Sequence, residues 1–303
     1  MIRTRFHGRG GQGIKTASQI FGTAAFLSGY QVQDFPLYGA ERRGAPIVAF
    51  TRLDRNPVLE RGPILKPDLL IVGDETLMED PIAAPLNGVG KGTRIFINTT
   101  HEAEAAREHY QLKSTPWVLD LTALCEKHLG KGHILSSALA AVASRLLGTI
   151  PPEFLHQALT RELEEQGIRG DTLKRNLALA EAVYEGLPAG EPFEPDAEPA
   201  EPLEPSPLVA LPQESVTAAA PLILAPANLG LRKTGNWRVH RPEIDYEHCN
   251  ACWICFIRCP DGAIHIREDG KPAIDYDHCK GCLICAQECP SHVIHSVREV
   301  TSW

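Results

Sequence analysis

The chain has 303 residues, enough for two ordinary domains. It carries 30 basic against 38 acidic residues, a net charge of −8, which argues against a nucleic-acid partner. Hydrophobic residues make up 43%, enough for a sizeable core, but the most apolar run, "ILSSALAAVASRLLGTI", contains Arg145 and reads as a helix of a soluble domain, not a membrane span.

The opening, "MIRTRFHGRGGQG", lacks the apolar stretch of a signal peptide, so a reducing cytoplasmic setting is expected. Cysteines in such a compartment bind metal more often than they form disulfides. "IRTRFHG" alternates apolar and polar residues and predicts a strand. The segment after it places Ile14, Ala17, Phe21, Ala24 and Leu27 on one helical face. Further strands are expected at residues 31–35, 47–53, 69–72, 94–98 and 117–121, with three helices after them. The last of these aligns Leu173, Leu177, Ala180, Tyr184 and Leu187. Alternating strands and helices predict an α/β domain over residues 1–187, a doubly wound parallel sheet covered on both faces.

Between the first strand and first helix lies "HGRGGQGIKT". Gly8, Gly10 and Gly13 fit G-x-G-x-x-G, and Asp34 stands where the acidic residue of a dinucleotide fingerprint would be. Arg9, Gly11 and Gln12 complete the loop. Arg9 and the extra Gly11 are unusual in that fingerprint, and Asp34 runs into Phe35-Pro36. Three readings stay open: a dinucleotide site, another anion at a helix start, or a tight turn or subunit contact. Downstream, Arg42 and Arg43 stand among Tyr38, Gly39, Gly44 and Pro46, the composition of a shaped loop that could hold a carboxylate or phosphate.

Residues 188–228 change character. They are rich in proline and glutamate, contain no Lys or Arg, and cannot bury enough apolar surface to fold alone. The stretch is a tether or lies across a partner, with "PLVALP" and "APLILAP" as anchors. Residues 229–303 form a third part with an internal repeat. Ile-Asp-Tyr recurs at 244–246 and 274–276, and a histidine at 248 and 278.

Within the repeat, Cys249, Cys252, Cys255 and Cys259 follow C-x2-C-x2-C-x3-C and precede Pro260; Cys279, Cys282, Cys285 and Cys289 precede Pro290. A tight loop with two-residue gaps presents three thiolates to one iron–sulfide cube, leaving the far corner to a more distant ligand. Structural zinc uses paired C-x2-C with longer gaps. Two [4Fe–4S] clusters are therefore expected, while Cys125 reads as a buried helix residue. Trp253 and Phe256 either restrict water near the clusters or are ordinary packing.

This part closely resembles the two-cluster bacterial ferredoxins, an α+β fold. The resemblance implies crossed ligation: Cys249, Cys252, Cys255 and Cys289 for one cluster, and Cys279, Cys282, Cys285 and Cys259 for the other. Taken together, "GRGGQGIKTASQI", "FPLYGAERRGAPIVAF" and "TGNWRVHRPEIDYEHC" resemble the 2-oxoacid:ferredoxin oxidoreductases, with residues 1–186 similar to the gamma subunit and 229–303 to the delta subunit. The resemblance implies an electron-transfer subunit with no catalytic residue of its own. Thiamine diphosphate and Mg belong to alpha and beta partner subunits, and ferredoxin is the acceptor. The Gly-Asp-Gly start of the family's diphosphate signature does not occur here. It further implies that Gly8, Arg9, Gly10, Gly11, Gln12, Gly13, Arg42 and Arg43 face the partners or coenzyme A. Two rival readings are a flavin- or NAD-linked reductase with a ferredoxin tail, and a non-enzymatic electron-storage module. Flavin absorbance or NAD(P)H oxidation would mark the first; clusters without a thiamine-containing partner would mark the second.

Overall fold

The computed structural model describes residues 1–37, 44–81, 83–193 and 233–299. The double-arginine loop and the apolar anchors of the proline-rich stretch lie outside the described residues. The first part is built on a six-stranded sheet of order β2-β3-β1-β4-β5-β6. Its strands are β1 (Ile2–Arg9), β2 (Gln31–Leu37), β3 (Pro46–Asp54), β4 (Leu69–Val72), β5 (Arg94–Asn98) and β6 (Trp117–Leu119). β1, β4, β5 and β6 run parallel, while β3 is antiparallel to both β1 and β2. The sheet is thus mixed. A direct return from β2 to β3 is shorter than the dozen or more residues a parallel crossover needs.

Register lines up Ala49, Phe6, Ile71 and Phe96 across four strands, and all four are fully buried. They face α1 (Ile14–Leu27), α4 (Ser136–Leu147), α5 (Pro152–Glu165) and α6 (Gly170–Gly186), which share one large core with them. α4 is the run containing Arg145; its residues 138–143 are alanine, leucine and valine at zero exposure, so it packs as a buried helix between α1 and α6. Four helices follow β6, because α3 (Leu121–Leu129) precedes α4. Cys125 lies on α3 at zero exposure, where burial pushes its thiol up to about 12. The opposite face carries a smaller core of Leu70, Val72, Ile95 and Ile97 under α2 (Ala103–His109).

The polar positions of β1 also point into cover. Arg5 is buried and donates to the carbonyls of Ile64, Leu65, Pro85 and Asn87. Past α6 the chain stays on the domain as far as Phe193. Arg145 binds the Leu187 carbonyl, Gly190 donates to Arg145 and Phe193 to Leu147, and Arg94 lies over the Phe193 ring.

The C-terminal part contains β7 (His240–Ile244), α7 (Ile254–Arg258), β8 (Ile264–Ile266), β9 (Pro272–Ile274), α8 (Ile284–Gln287) and β10 (Ile294–Arg298). β7 pairs with β10 and β8 with β9, both antiparallel, so each ribbon joins one half of the repeat to the other. Ile244 pairs with Ile294 and Ile264 with Ile274, a match expected of a twofold duplication. Among the described residues no helix is long and apolar enough to cross a membrane.

Candidate metal centre

The two cysteine loops fold alike. Trp253 and Leu283, each just after the second cysteine of its run, both have φ 61°. Ala251 and Gly281 adopt φ 55° and 66°, and Gly262 and His292 φ 61° and 52°. Left-handed backbone is costly for a side chain as large as Trp or Leu, and it persists where a site dictates the loop's shape. Alternating the hand of the backbone turns successive amides inward, the arrangement that cradles anionic groups. The N–H of Ala263 donates to Cys259 Sγ at 3.3 Å, and the amides of Phe256, Gly281 and Ala286 point at the sulfurs of Cys255, Cys279 and Cys285. Asp245 and Asp275 anchor the loops identically. Each accepts from the amide two residues on at 2.9 Å, and each bonds the histidine three residues on, at 2.7 and 2.6 Å.

Cys259, from the first run, lines one cavity with Cys279, Cys282 and Cys285 of the second; Pro242, Ile264, Ile274 and Leu283 form much of its apolar wall. Cys249, Cys252 and Cys255 lie together in the first loop, and Cys289 is buried in the same apolar cluster as Cys255. All nine cysteines are free thiols. Among the described residues no three His, Cys, Asp or Glu side chains could grip a single metal ion. Burial and neighbouring sulfurs raise the Cys255 and Cys279 thiols and push Cys285 up to about 12. A thiol held that high would ionise only beside a strong positive centre such as a bound metal. Four cysteines lining one largely apolar-walled space, with amides aimed at their sulfurs, fit a polynuclear iron–sulfide group. Trp253 and Phe256 are nearly half exposed, at 47% and 45%, and the Trp253 indole donates to the Gly270 carbonyl.

The glycine loop is stapled from within. Arg9 is 1% exposed; its Nε donates to Asp74 Oδ2 at 3.1 Å and its Nη1 to the Gly44 carbonyl. Gln12 donates to the same Asp74 oxygen at 3.0 Å and accepts from the Arg9 amide at 2.7 Å. Gly10 donates to Ala45 and accepts from Gly44. A Cβ on Gly8 would lie 2.2 Å from Ile14 Cδ1, so this glycine lets α1 close on β1. Gly11 and Gly13 take φ 95° and 80°. These contacts describe a tight structural turn. Asp34 sits on edge strand β2, two strands from β1, and accepts from Ser18 and Thr51 beneath α1, so it does not face the loop as a ribose ligand would. Arg42 and Arg43 lie outside the described residues.

Contacts that sequence reasoning did not foresee join the two parts. Arg298 on β10 grips Asp120, the N-cap of α3, with bonds of 2.7 and 2.5 Å. His240 pairs with Glu126 of α3 at 2.9 Å. Thr76, which also meets Arg9, donates to the Asn236 carbonyl at 3.1 Å, and Trp237 lies so close to Gly44 that a Cβ there would be 2.9 Å away. The "TGNWR" segment was the available signal, without a role attached to it.

A gamma-type α/β domain joined to a duplicated cysteine module defines an iron–sulfur oxidoreductase subunit. The chain belongs to the pyruvate ferredoxin/flavodoxin oxidoreductase family, whose model matches residues 3–186, and residues 248–293 match a 4Fe-4S dicluster domain. It is 36% identical to the pyruvate/ketoisovalerate oxidoreductases common subunit gamma of Thermococcus litoralis over 186 residues, 61% of this chain and 96% of that protein. It is 35% identical to pyruvate synthase subunit PorC of Methanocaldococcus jannaschii over 184 residues, with the same two coverages. The crystal structure of pyruvate oxidoreductase subunit PORC from Thermotoga maritima superposes with a TM-score of 0.53 at 29% identity, covering 63% of this chain and 98% of that one.

Proposed function

We propose that the chain is a fused gamma–delta subunit that carries electrons out of a thiamine-diphosphate-dependent 2-oxoacid:ferredoxin oxidoreductase. In this reading residues 1–187 are the gamma part, 188–228 the linker and 229–303 the delta part. One observation carries it: a thiol of the first run, Cys259, shares a cavity with three thiols of the second. That arrangement supports two [4Fe–4S] clusters with crossed ligands, Cys279, Cys282, Cys285 and Cys259 for one and Cys249, Cys252, Cys255 and Cys289 for the other. When bound, such clusters exchange single electrons with little rearrangement. The chain's own residues fix the sulfurs, aim amides at them and exclude water from Cys255 and Cys285. Alpha and beta subunits would hold thiamine diphosphate and Mg and decarboxylate the 2-oxoacid, with coenzyme A as co-substrate and ferredoxin as acceptor, in the cytoplasm. The names of the relatives favour pyruvate or a branched-chain 2-oxoacid. Arg42, Arg43 and the outer rim of the glycine loop would face those partners.

Anaerobically prepared protein should contain about eight iron and eight acid-labile sulfide per chain. Cys259→Ala should deplete the same cluster as Cys279→Ala, although the two residues belong to different runs. Colourless or zinc-loaded protein overturns the proposal, and additive losses from those two substitutions in one chain overturn the crossed ligation.

A further inference from the structure

We propose that Arg238 gives the module its electrical polarity, raising the reduction potential at the second cysteine loop above that at the first. The inference rests on the reading that both loops hold clusters. Arg238 belongs to the segment that leads into β7, and its side chain is only 7% exposed. Its Nη1 donates to the Tyr276 carbonyl at 2.5 Å and to the Cys279 carbonyl at 3.0 Å, both on the second loop. The rest of the guanidinium is held by Glu299, with Nη2 to Oε1 at 2.7 Å, and lies over the Tyr276 ring. The same segment seals that loop: Thr234 and Gly235 donate to the Asp277 carbonyl, and a Cβ on Gly235 would lie 2.0 Å from the Tyr276 carbonyl oxygen.

The first loop is built differently. The repeat pairs Tyr276 with Tyr246, and the Tyr246 carbonyl accepts from Lys271 Nζ at 2.6 Å. Among the described residues no side chain makes the matching bond to the Cys249 carbonyl. The residue that the repeat aligns with Arg238 is Glu268, of opposite charge. Lys271 is half-buried on a flexible stem, whereas Arg238 is fixed by four hydrogen bonds inside the cover.

A cluster that takes an electron gains one negative charge. Covering the second loop removes water that would stabilise this charge, but the cover brings a fixed cation to hydrogen-bond distance of the loop. Attraction across a poorly polarisable interior exceeds what screened surface charges provide. Glu299 opposes it weakly, because its carboxylate is 25% exposed and better screened. An electron entering the module therefore settles at the second loop, the end tied to the α/β domain through Asn236 and Trp237.

The test is a dithionite redox titration of the full chain under anaerobic conditions, followed by visible bleaching and electron paramagnetic resonance. Wild type should show two separate one-electron steps. Arg238→Gln should move the upper step to lower potential and leave the lower step in place, Arg238→Lys, which keeps the charge but not the four-bond geometry, should move it in the same direction by less, and Glu299→Gln should move the upper step up. Iron and sulfide are counted on the same samples. Absent clusters remove the reading on which the inference stands. Intact clusters with an unmoved upper step, or with movement of the lower step instead, overturn the inference alone. Where Arg238→Gln loses a cluster, Glu299→Gln decides: an unmoved upper step in that variant overturns it.

Discussion

Asp74 is the residue on which the glycine loop closes. It takes hydrogen bonds from both Arg9 and Gln12 on one oxygen and caps the short 3-10 turn Glu75–Leu77 with the other, through the Thr76 amide. Arg9 is a full positive charge at 1% exposure, so its only tolerable state is the paired one. Removing one partner of a buried pair strands the other and costs about 3–5 kcal/mol, more than the pair itself contributes. Asp74→Ala is therefore expected to lower the unfolding free energy of the full chain by about that much, read from urea denaturation followed by far-ultraviolet circular dichroism. A loss below about 1 kcal/mol would show that water reaches the guanidinium. This is also where the sequence was least able to speak. The G-x-G-x-x-G spacing was visible, but whether Arg9 reached outward to a ligand or inward to a carboxylate depended on Asp74, which comes from the far end of β4.

Helix α1 carries an unusual load for an element with a buried face. Ser18 donates to Asp34, while Gln19 Nε2 and Thr23 Oγ1 each donate to Glu162 at 2.6 Å, so two carboxylates lie under one helix between β2 and α5. Burial, reinforced by repulsion from Glu162, outweighs the Ser18 and Thr51 bonds and lifts Asp34 to about 6. An unfolded aspartate titrates near 3.9, so between about pH 4 and 6 the folded chain binds the extra proton. Stability from this group is thus fully present at low pH and is lost as pH rises through about 6, by about 1–3 kcal/mol. Asp34→Asn should remove that slope: relative to wild type it gains stability between pH 5 and 7.5 in urea titrations, and a pH-independent difference would mean Asp34 is ionised throughout. At this scale the strands were legible, since each expected strand forms within a few residues of its expected bounds. Their directions were not. Apolar runs such as Ile47–Leu53 state burial without stating which neighbour they pair with, and the antiparallel β1–β3 ladder is a tertiary choice. The alternation in β1 was read correctly as a strand, yet its polar face is covered, because Arg5 satisfies four carbonyls that no local pattern announces. The cysteine loops were the opposite case, since ligand spacing is written along the chain and the duplication repeats it.

On the scale of the whole molecule, the two parts meet, among the described residues, through directed bonds, of which the two-pronged one is Arg298 on Asp120. The pair is about one-quarter exposed on each side. Although burial works to raise it, the Arg298 bonds and the helix amides hold the Asp120 carboxyl below its usual range. A depressed carboxylate contributes stability that is present above about pH 4 and is lost as pH falls, so docking should weaken in acid. The same carboxylate caps α3 by accepting from Ala123 at 3.0 Å, and α3 supplies Glu126 to His240, so one helix presents both anchors. Arg298→Ala leaves the cap intact and removes only the bridge, at a cost of about 1.5–3 kcal/mol for charge-assisted bonds. That exceeds what a single surface ion pair gives and is enough to shift a docked population severalfold or more. Small-angle scattering of the full anaerobic chain should report a larger radius of gyration for Arg298→Ala than for wild type, while the iron content stays the same. Arg258→Ala, which breaks the exposed Arg258–Glu288 pair inside the cysteine module, serves as the control and should leave the radius unchanged. Equal radii for Arg298→Ala and wild type, with clusters intact in both, would show that the His240–Glu126 pair and the Asn236–Trp237 seat hold the parts together without the bridge.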